Sequence, residues 1–225
     1  LIKPTSSRCN LNCTYCFYLS KMEMYPWRDH PKLTLETFEE FLKQYVPMSS
    51  PYLSFNWQGG EPTIMGLPFF EKALELQSRY ARLANPRNPP PTHNAIQTNG
   101  TMVDDDWASF FARSKFLVGV SLDGPPDWHD RYRVDWSNRG TFDRVMKGIE
   151  SLRRHDVVFN ILTVVNQTNV QRPRELLHWL VDQGFGDLQF IPCVEVQPGY
   201  HSAADGPVTE ASVTPDQYGR FLAEL

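Results

Sequence analysis

Cysteine is scarce in this chain of 225 residues: there are four, and three of them fall between Cys9 and Cys16. So few thiols, so crowded, fit a reducing compartment. Long apolar runs are lacking too. A membrane-spanning helix needs about 20 predominantly apolar residues, and the N-terminus lacks the basic-then-apolar order of a signal peptide, so the expectation is a soluble, cytoplasmic protein with no membrane partner. Positive charge is in deficit, with 22 Lys and Arg against 26 Asp and Glu for a net charge of -4. That balance argues against nucleic acid or an acidic membrane as partner, because either usually selects a basic face. What composition does supply is a core: 41% of the residues are hydrophobic, enough for one large α/β domain. The chain opens at Leu1 without a methionine and stops at Leu225, which leads us to expect a fragment.

The clustered residues Cys9, Cys13 and Cys16 have C-x3-C-x2-C spacing, and that spacing asks for a metal. Disulfides among them would be strained and would leave one thiol unpaired. Thiolates three and four positions apart on a tight loop can converge on one zinc ion or one iron-sulfur cluster. A structural zinc normally takes a fourth protein ligand, and the next candidate, His30, lies in a Pro/Trp-rich stretch with no recognisable ligand spacing. A 4Fe-4S cluster on three cysteines would keep one iron open for a small molecule.

Periodicity divides the rest of the chain into alternating strands and helices. Leu1-Ile2-Lys3 reads as the tail of a short strand that delivers the cysteine loop. Leu35, Phe38, Phe41, Leu42, Tyr45 and Val46 recur at helical spacing behind a Thr34 cap. Strands are expected at Tyr52–Trp57, Asn94–Gln97, Phe116–Leu122, Val157–Val165 and Leu188–Ile191. Helices are expected over Pro68–Ala84, with Phe69, Ala73, Leu76 and Tyr80 buried, and over Asp104–Ser114. Three more follow: one using Phe142, Val145, Ile149 and Leu152, one near Arg174–Gln183, and one opening at Thr214-Pro215-Asp216-Gln217 with a capping box. Six strands in repeated βα units imply a parallel sheet. Pattern alone leaves a doubly wound sheet and a barrel both open.

The distinctive polar motifs fall where predicted strands end, which is where parallel barrels place their chemistry. Gly59-Gly60-Glu61-Pro62 puts two residues without side chains at one such end, Gln97-Thr98-Asn99-Gly100 marks the next, and Ser121-Leu122-Asp123-Gly124-Pro125 another.

With Tyr15 immediately before the last cysteine, the loop resembles the signature of the radical S-adenosylmethionine (SAM) enzymes. The resemblance implies a partial (β/α)6 TIM-like barrel spanning residues 1–225 as one core domain. It implies that Cys9, Cys13 and Cys16 bind three irons of a 4Fe-4S cluster while SAM chelates the fourth. It assigns Gly60 to the methionine amino group, Ser121 to the ribose and Arg133 to the methionine carboxylate, with Arg131 and Arg139 as near neighbours that the sequence barely separates from it. The backbones of Tyr15 and Val194 would meet the adenine. These motifs, with Leu188–Cys193, occur in the order seen in anaerobic sulfatase-maturating enzymes, which oxidise a Cys or Ser of a sulfatase to Cα-formylglycine. That narrower resemblance implies a sulfatase polypeptide or other peptide as substrate, with Tyr18, Gln58 and Gln97 as candidates to touch it, and a reductant such as flavodoxin or ferredoxin. It also implies a C-terminal SPASM-type domain carrying auxiliary 4Fe-4S clusters and the catalytic base. Those parts would lie outside this sequence. Two other readings compete: a maturase that crosslinks or epimerises another ribosomal peptide, and a non-catalytic metal-binding module.

Overall fold

The computed structural model describes residues 1–19, 32–49, 51–197 and 206–225. His30 lies outside them. The chain forms five strands, β1 (Leu53–Trp57) and β2 (Thr92–Thr98) with alternating burial, β3 (Leu117–Ser121) and β4 (Phe159–Val165) with continuous buried runs, and β5 (Leu188–Pro192). They pair in parallel in chain order, and the sheet curls into a half-barrel. The crossovers carry α2 (Leu67–Ala84), α3 (Asp105–Arg113), α4 (Pro126–His129) with α5 (Phe142–Arg154), and α6 (Pro173–Asp182). Helix α1 (Leu35–Met48) precedes the sheet and α7 (Pro215–Glu224) follows it.

The apolar side chains of the strands decide where the core sits. Leu53, Phe55 and Trp57 of β1, Val118 and Val120 of β3, and Ile161 and Val165 of β4 are buried on the side that the helices cover. There they meet an aromatic layer in which Phe70 of α2 stacks edge-on to Trp57 at 5.2 Å and to Trp107 of α3 at 5.6 Å. The opposite, concave face carries Asn56, Gln58, Gln97, Gly119, Asn160 and Gln189 around an open cavity. A face with so many carboxamides cannot pack as a dry core, so the half-barrel keeps its concave side open.

The local signals at helix ends hold. Thr34 accepts from the Thr37 amide at 3.1 Å, and Thr214 and Gln217 form the capping box that starts α7. Two expectations need correction. The first strand, Leu1–Lys3, is a single bridge between Ile2 and Trp57. Ile2 makes both of its ladder bonds there, to Asn56 and from Gln58, and Pro4, which has no N–H to give, ends the pairing. Helix α2 is rotated from its expected face: Phe70, Ala73, Gln77 and Ala81 are buried, while Phe69, Leu76 and Tyr80 only pack against the edge of the core. Gln77 wins an inward position because its amide exchanges two hydrogen bonds with Asn94, at 2.9 and 3.1 Å, and Asn94 also accepts the Trp57 indole N–H at 2.9 Å.

Candidate active site

The cysteine loop is docked onto strand ends by backbone bonds. The Gly60 amide donates to Ser6 O and the Glu61 amide to Arg8 O, both at 2.9 Å. On its other side, Asn12 and Thr14 donate to the carbonyls of Val134 and Tyr132 at 2.8 and 2.9 Å. Gly60 must be glycine for this approach: a Cβ there would lie 2.0 Å from the Arg8 carbonyl oxygen. Amide donors also reach the sulfurs, Leu11 N–H to Cys9 and Tyr18 N–H to Cys16 at 3.4 Å each, and Asn99 Nδ2 to Cys9 at 3.6 Å. Burial pushes the Cys9 thiol up to about 12 and Cys13 up to about 11, and raises Cys16 as well. Without a cation, these three stay protonated at neutral pH.

Two buried carboxyls organise what surrounds the loop. Glu61 accepts from the amide and hydroxyl of Thr63 at 3.0 and 2.7 Å, from the Thr98 hydroxyl at 2.9 Å and from the Asn99 amide at 2.7 Å. It thereby clamps the end of β1 to the end of β2. Burial raises its pKa, and those donors pull the other way. Asn99 extends the clamp to the loop, giving Nδ2–H to Asn10 Oδ1 at 2.8 Å. Beyond β3, Asp123 pairs with the buried Arg133 guanidinium, whose Nε lies 3.0 Å away, and accepts the Tyr15 hydroxyl. Burial raises the Tyr15 pKa well above its usual value, so the phenol remains the donor.

His129 closes the back of this arrangement as a neutral ring. Thr141 donates its hydroxyl to Arg133 O at 2.8 Å, so it must accept from His129 Nε2–H at 3.0 Å, and Nδ1 is left to accept the Asp123 amide at 3.3 Å. A second proton on the ring would meet a donor. Burial lowers its pKa to about 3.

These elements enclose a cavity of about 240 Å³ whose wall includes Cys9, Cys13, Cys16, Gly60, Ser121 and Arg133. The sequence profile of the radical SAM superfamily matches residues 4–180. The chain belongs to that superfamily.

Its relatives narrow the comparison. The Serine-type anaerobic sulfatase-maturating enzyme of Bacteroides thetaiotaomicron is 37% identical over all of this chain and 55% of its own length. The Cysteine-type enzyme of Clostridium novyi is 38% identical over all of this chain and 58% of its own. The chain thus spans little more than half the length of the curated relatives it matches. A solved structure of native anSMEcpe with bound AdoMet and the Cp18Cys peptide superposes with a TM-score of 0.83 at 36% identity, over 99% of this chain and 56% of that one. Spore photoproduct lyase, 12% identical with a TM-score of 0.55 over 83% of this chain and 54% of its own, shares the fold alone.

Radical SAM membership implies a 4Fe-4S cluster and SAM. The donor set fits the cluster. Among the described residues no three His, Cys, Asp or Glu are arranged to hold one metal ion, whereas a cubane takes each thiolate on a different iron and needs no such convergence. One buried and two partly buried sulfurs, with amide donors to Cys9 and Cys16, suit an anionic, sulfur-ligated group.

Of the other residues singled out from the sequence, Tyr15, Tyr18, Gln58 and Gln97 also line the cavity. Val194 does not; its neighbours Cys193 and Glu195 do, and its own side chain is half exposed. Arg131 and Arg139 are exposed and only Arg133 is buried, a separation invisible in the sequence. Sequence reasoning named the motifs that contain Glu61, Asn99 and Asp123 yet gave those three side chains no role. The available signal was a charged or amide group placed beside glycine at each strand end.

Proposed function

We propose that residues 1–225 are the radical SAM core domain of an anaerobic sulfatase-maturating enzyme acting in the cytoplasm, with Cys9, Cys13 and Cys16 as the protein ligands of its 4Fe-4S cluster. The observation that carries the reading is the gathering of three thiols, a glycine backbone, a hydroxyl and one guanidinium around a single cavity. Cluster and SAM together would supply a 5'-deoxyadenosyl radical able to take hydrogen from a peptide Cβ. Arg133 binds the methionine carboxylate, and arginine suits that task because its fork can give two parallel N–H bonds. Gly60 offers its backbone to the methionine amino group, Ser121 its hydroxyl to the ribose, and Tyr15 and Val194 their backbones to the adenine. Tyr18, Gln58 and Gln97 hold the sulfatase segment; the Gln58 and Gln97 amides are already bonded to each other and can hand those bonds to a peptide. Flavodoxin or ferredoxin supplies the electron. Auxiliary clusters and the base that takes the substrate proton belong to a further domain.

The test is one anaerobic reaction of the full-length protein with SAM, reductant and a sulfatase-derived Cys-x-Pro-x-Arg peptide, or its serine counterpart, deuterated at the target Cβ. Mass spectrometry should find the aldehyde together with deuterium in 5'-deoxyadenosine. SAM cleavage without either product would transfer the chain to the maturases of other ribosomal peptides. Stoichiometric zinc without labile sulfide would make it a metal-binding module.

A further inference from the structure

Arg133 is the one cationic side chain among the described residues on the cavity wall, and the side chain that holds it, Asp123, lies behind that wall. Asp123 is fully buried, and donors from three separate parts of the chain converge on its two oxygens. Oδ2 accepts the Tyr15 hydroxyl from within the cysteine loop and Arg133 Nε–H at 3.0 Å. Oδ1 accepts Arg133 Nη2–H at 3.3 Å and the Val164 amide of β4 at 3.0 Å. A carboxylate has about four acceptor sites, so this one is saturated. Its backbone is held as well, with N–H given to His129 Nδ1 and C=O accepting Asn169 Nδ2, both at 3.3 Å.

The guanidinium is left half used. Nε–H and one Nη2 hydrogen go to Asp123, so the end-on edge, Nη1 with the second Nη2 hydrogen, has no protein acceptor among the described residues. The side chain is 9% exposed and lines the cavity, so that edge is the part of Arg133 free to bond what the cavity binds.

We propose that Asp123 is a positioning residue that sets the spacing between the cysteine loop and the ligand-facing edge of Arg133. One carboxylate grips both, so the cluster ligands and the carboxylate subsite for SAM share a common anchor. The inference rests on the SAM-site reading given above. It opposes a simple charge argument. Asp123 neutralises Arg133, and if charge ruled, removing the acid would tighten the hold on an anionic carboxylate. If spacing rules, removing it loosens that hold.

The experiment measures equilibrium SAM binding and the change in the electron paramagnetic resonance signal of the reduced cluster on SAM addition, in reconstituted holoenzyme and in Asp123→Asn and Tyr15→Phe variants. Asp123→Asn should bind SAM about tenfold more weakly, the loss of roughly one charged hydrogen bond. Tyr15→Phe leaves the ion pair and every charge intact, and decides the matter if the first variant fails to fold. It should keep its iron and sulfide, bind SAM about threefold to tenfold more weakly, and show an altered spectral change with SAM. Wild-type affinity and spectrum in Tyr15→Phe, or tighter binding by a folded Asp123→Asn, would overturn the proposal. Loss of iron from Tyr15→Phe would overturn it too, because the hydroxyl would then be holding the cluster rather than its spacing to SAM. Failure of the wild type to bind SAM would sink the site reading itself, whereas variants indistinguishable from a binding wild type sink only this inference.

Discussion

Gly60→Ala separates a steric role for the glycine from its proposed contact with SAM. The new methyl group would sit 2.0 Å from the Arg8 oxygen, 2.4 Å from the Arg8 carbonyl carbon and 2.7 Å from that of Ser7. All three are backbone atoms, so no rotamer can relieve the contact. Segment 6–8 must retreat by about 1 Å or more to reach an ordinary van der Waals distance, and Cys9 is the next residue along. The retreat breaks the Gly60-to-Ser6 and Glu61-to-Arg8 bonds, both 2.9 Å long. At about 1 to 3 kcal/mol for each of the two bonds lost, the cost is about 2 to 6 kcal/mol, and at this chain length that lowers Tm by about 4 to 24 °C. Iron and acid-labile sulfide counts after anaerobic reconstitution, with a thermal melt of the apoprotein, test it. Gly219→Ala in α7 is the control: nothing lies within 4 Å of its Cβ, so it should stabilise by about 0.5 to 1 kcal/mol. If Gly60→Ala kept its full iron and melted within about 2 °C of the wild type, the steric reasoning would be refuted, and loss of SAM affinity alone would assign the glycine to the ligand.

Replacing Cys9, Cys13 or Cys16 by alanine should abolish the iron and sulfide bound by residues 1–225, whereas Cys193→Ala, on the same wall but outside the loop, should retain both by colorimetric assay. Arg133→Ala should weaken SAM binding by about 1.5 to 3 kcal/mol and, by leaving Asp123 buried without its partner, destabilise the fold by about 3 to 5 kcal/mol in denaturant titration. The exposed Arg131→Ala and Arg139→Ala should do neither, and equal effects from all three would defeat the assignment. His129 supplies a pH test. Its pKa is lowered from 6.5 to about 3 in the fold, so below pH 6.5 the unfolded chain takes up the proton first. Its contribution is complete above that pH and declines as pH falls toward 3, by up to about 1.4 kcal/mol per unit. Stability curves of the wild type and His129→Gln that run parallel from pH 6.5 down to 4.5 would contradict this.

The order of elements, the helix starts at Thr34 and Thr214, and the crowding of chemistry at strand ends were all legible in the sequence. Each rests on interactions within a few residues: a side chain capping the amide three positions on, an apolar period of two or 3.6, a glycine where a strand stops. The resemblance in the motifs reached the superfamily for the same reason, since each motif is a contiguous run. Tertiary structure decided what depends on partners far along the chain. Leu1–Lys3 is a bridge because its pairing partner is a short stretch around Trp57 and Pro4 ends it. Gln77 turns inward because Asn94 waits on the next strand. Arg133 is set apart from Arg131 and Arg139 by its pairing with buried Asp123, to whose oxygen folding also brings Tyr15, 108 residues away. A buried charge keeps its place through the donors that solvate it, and those donors are neighbours in space that spacing along the chain does not reveal.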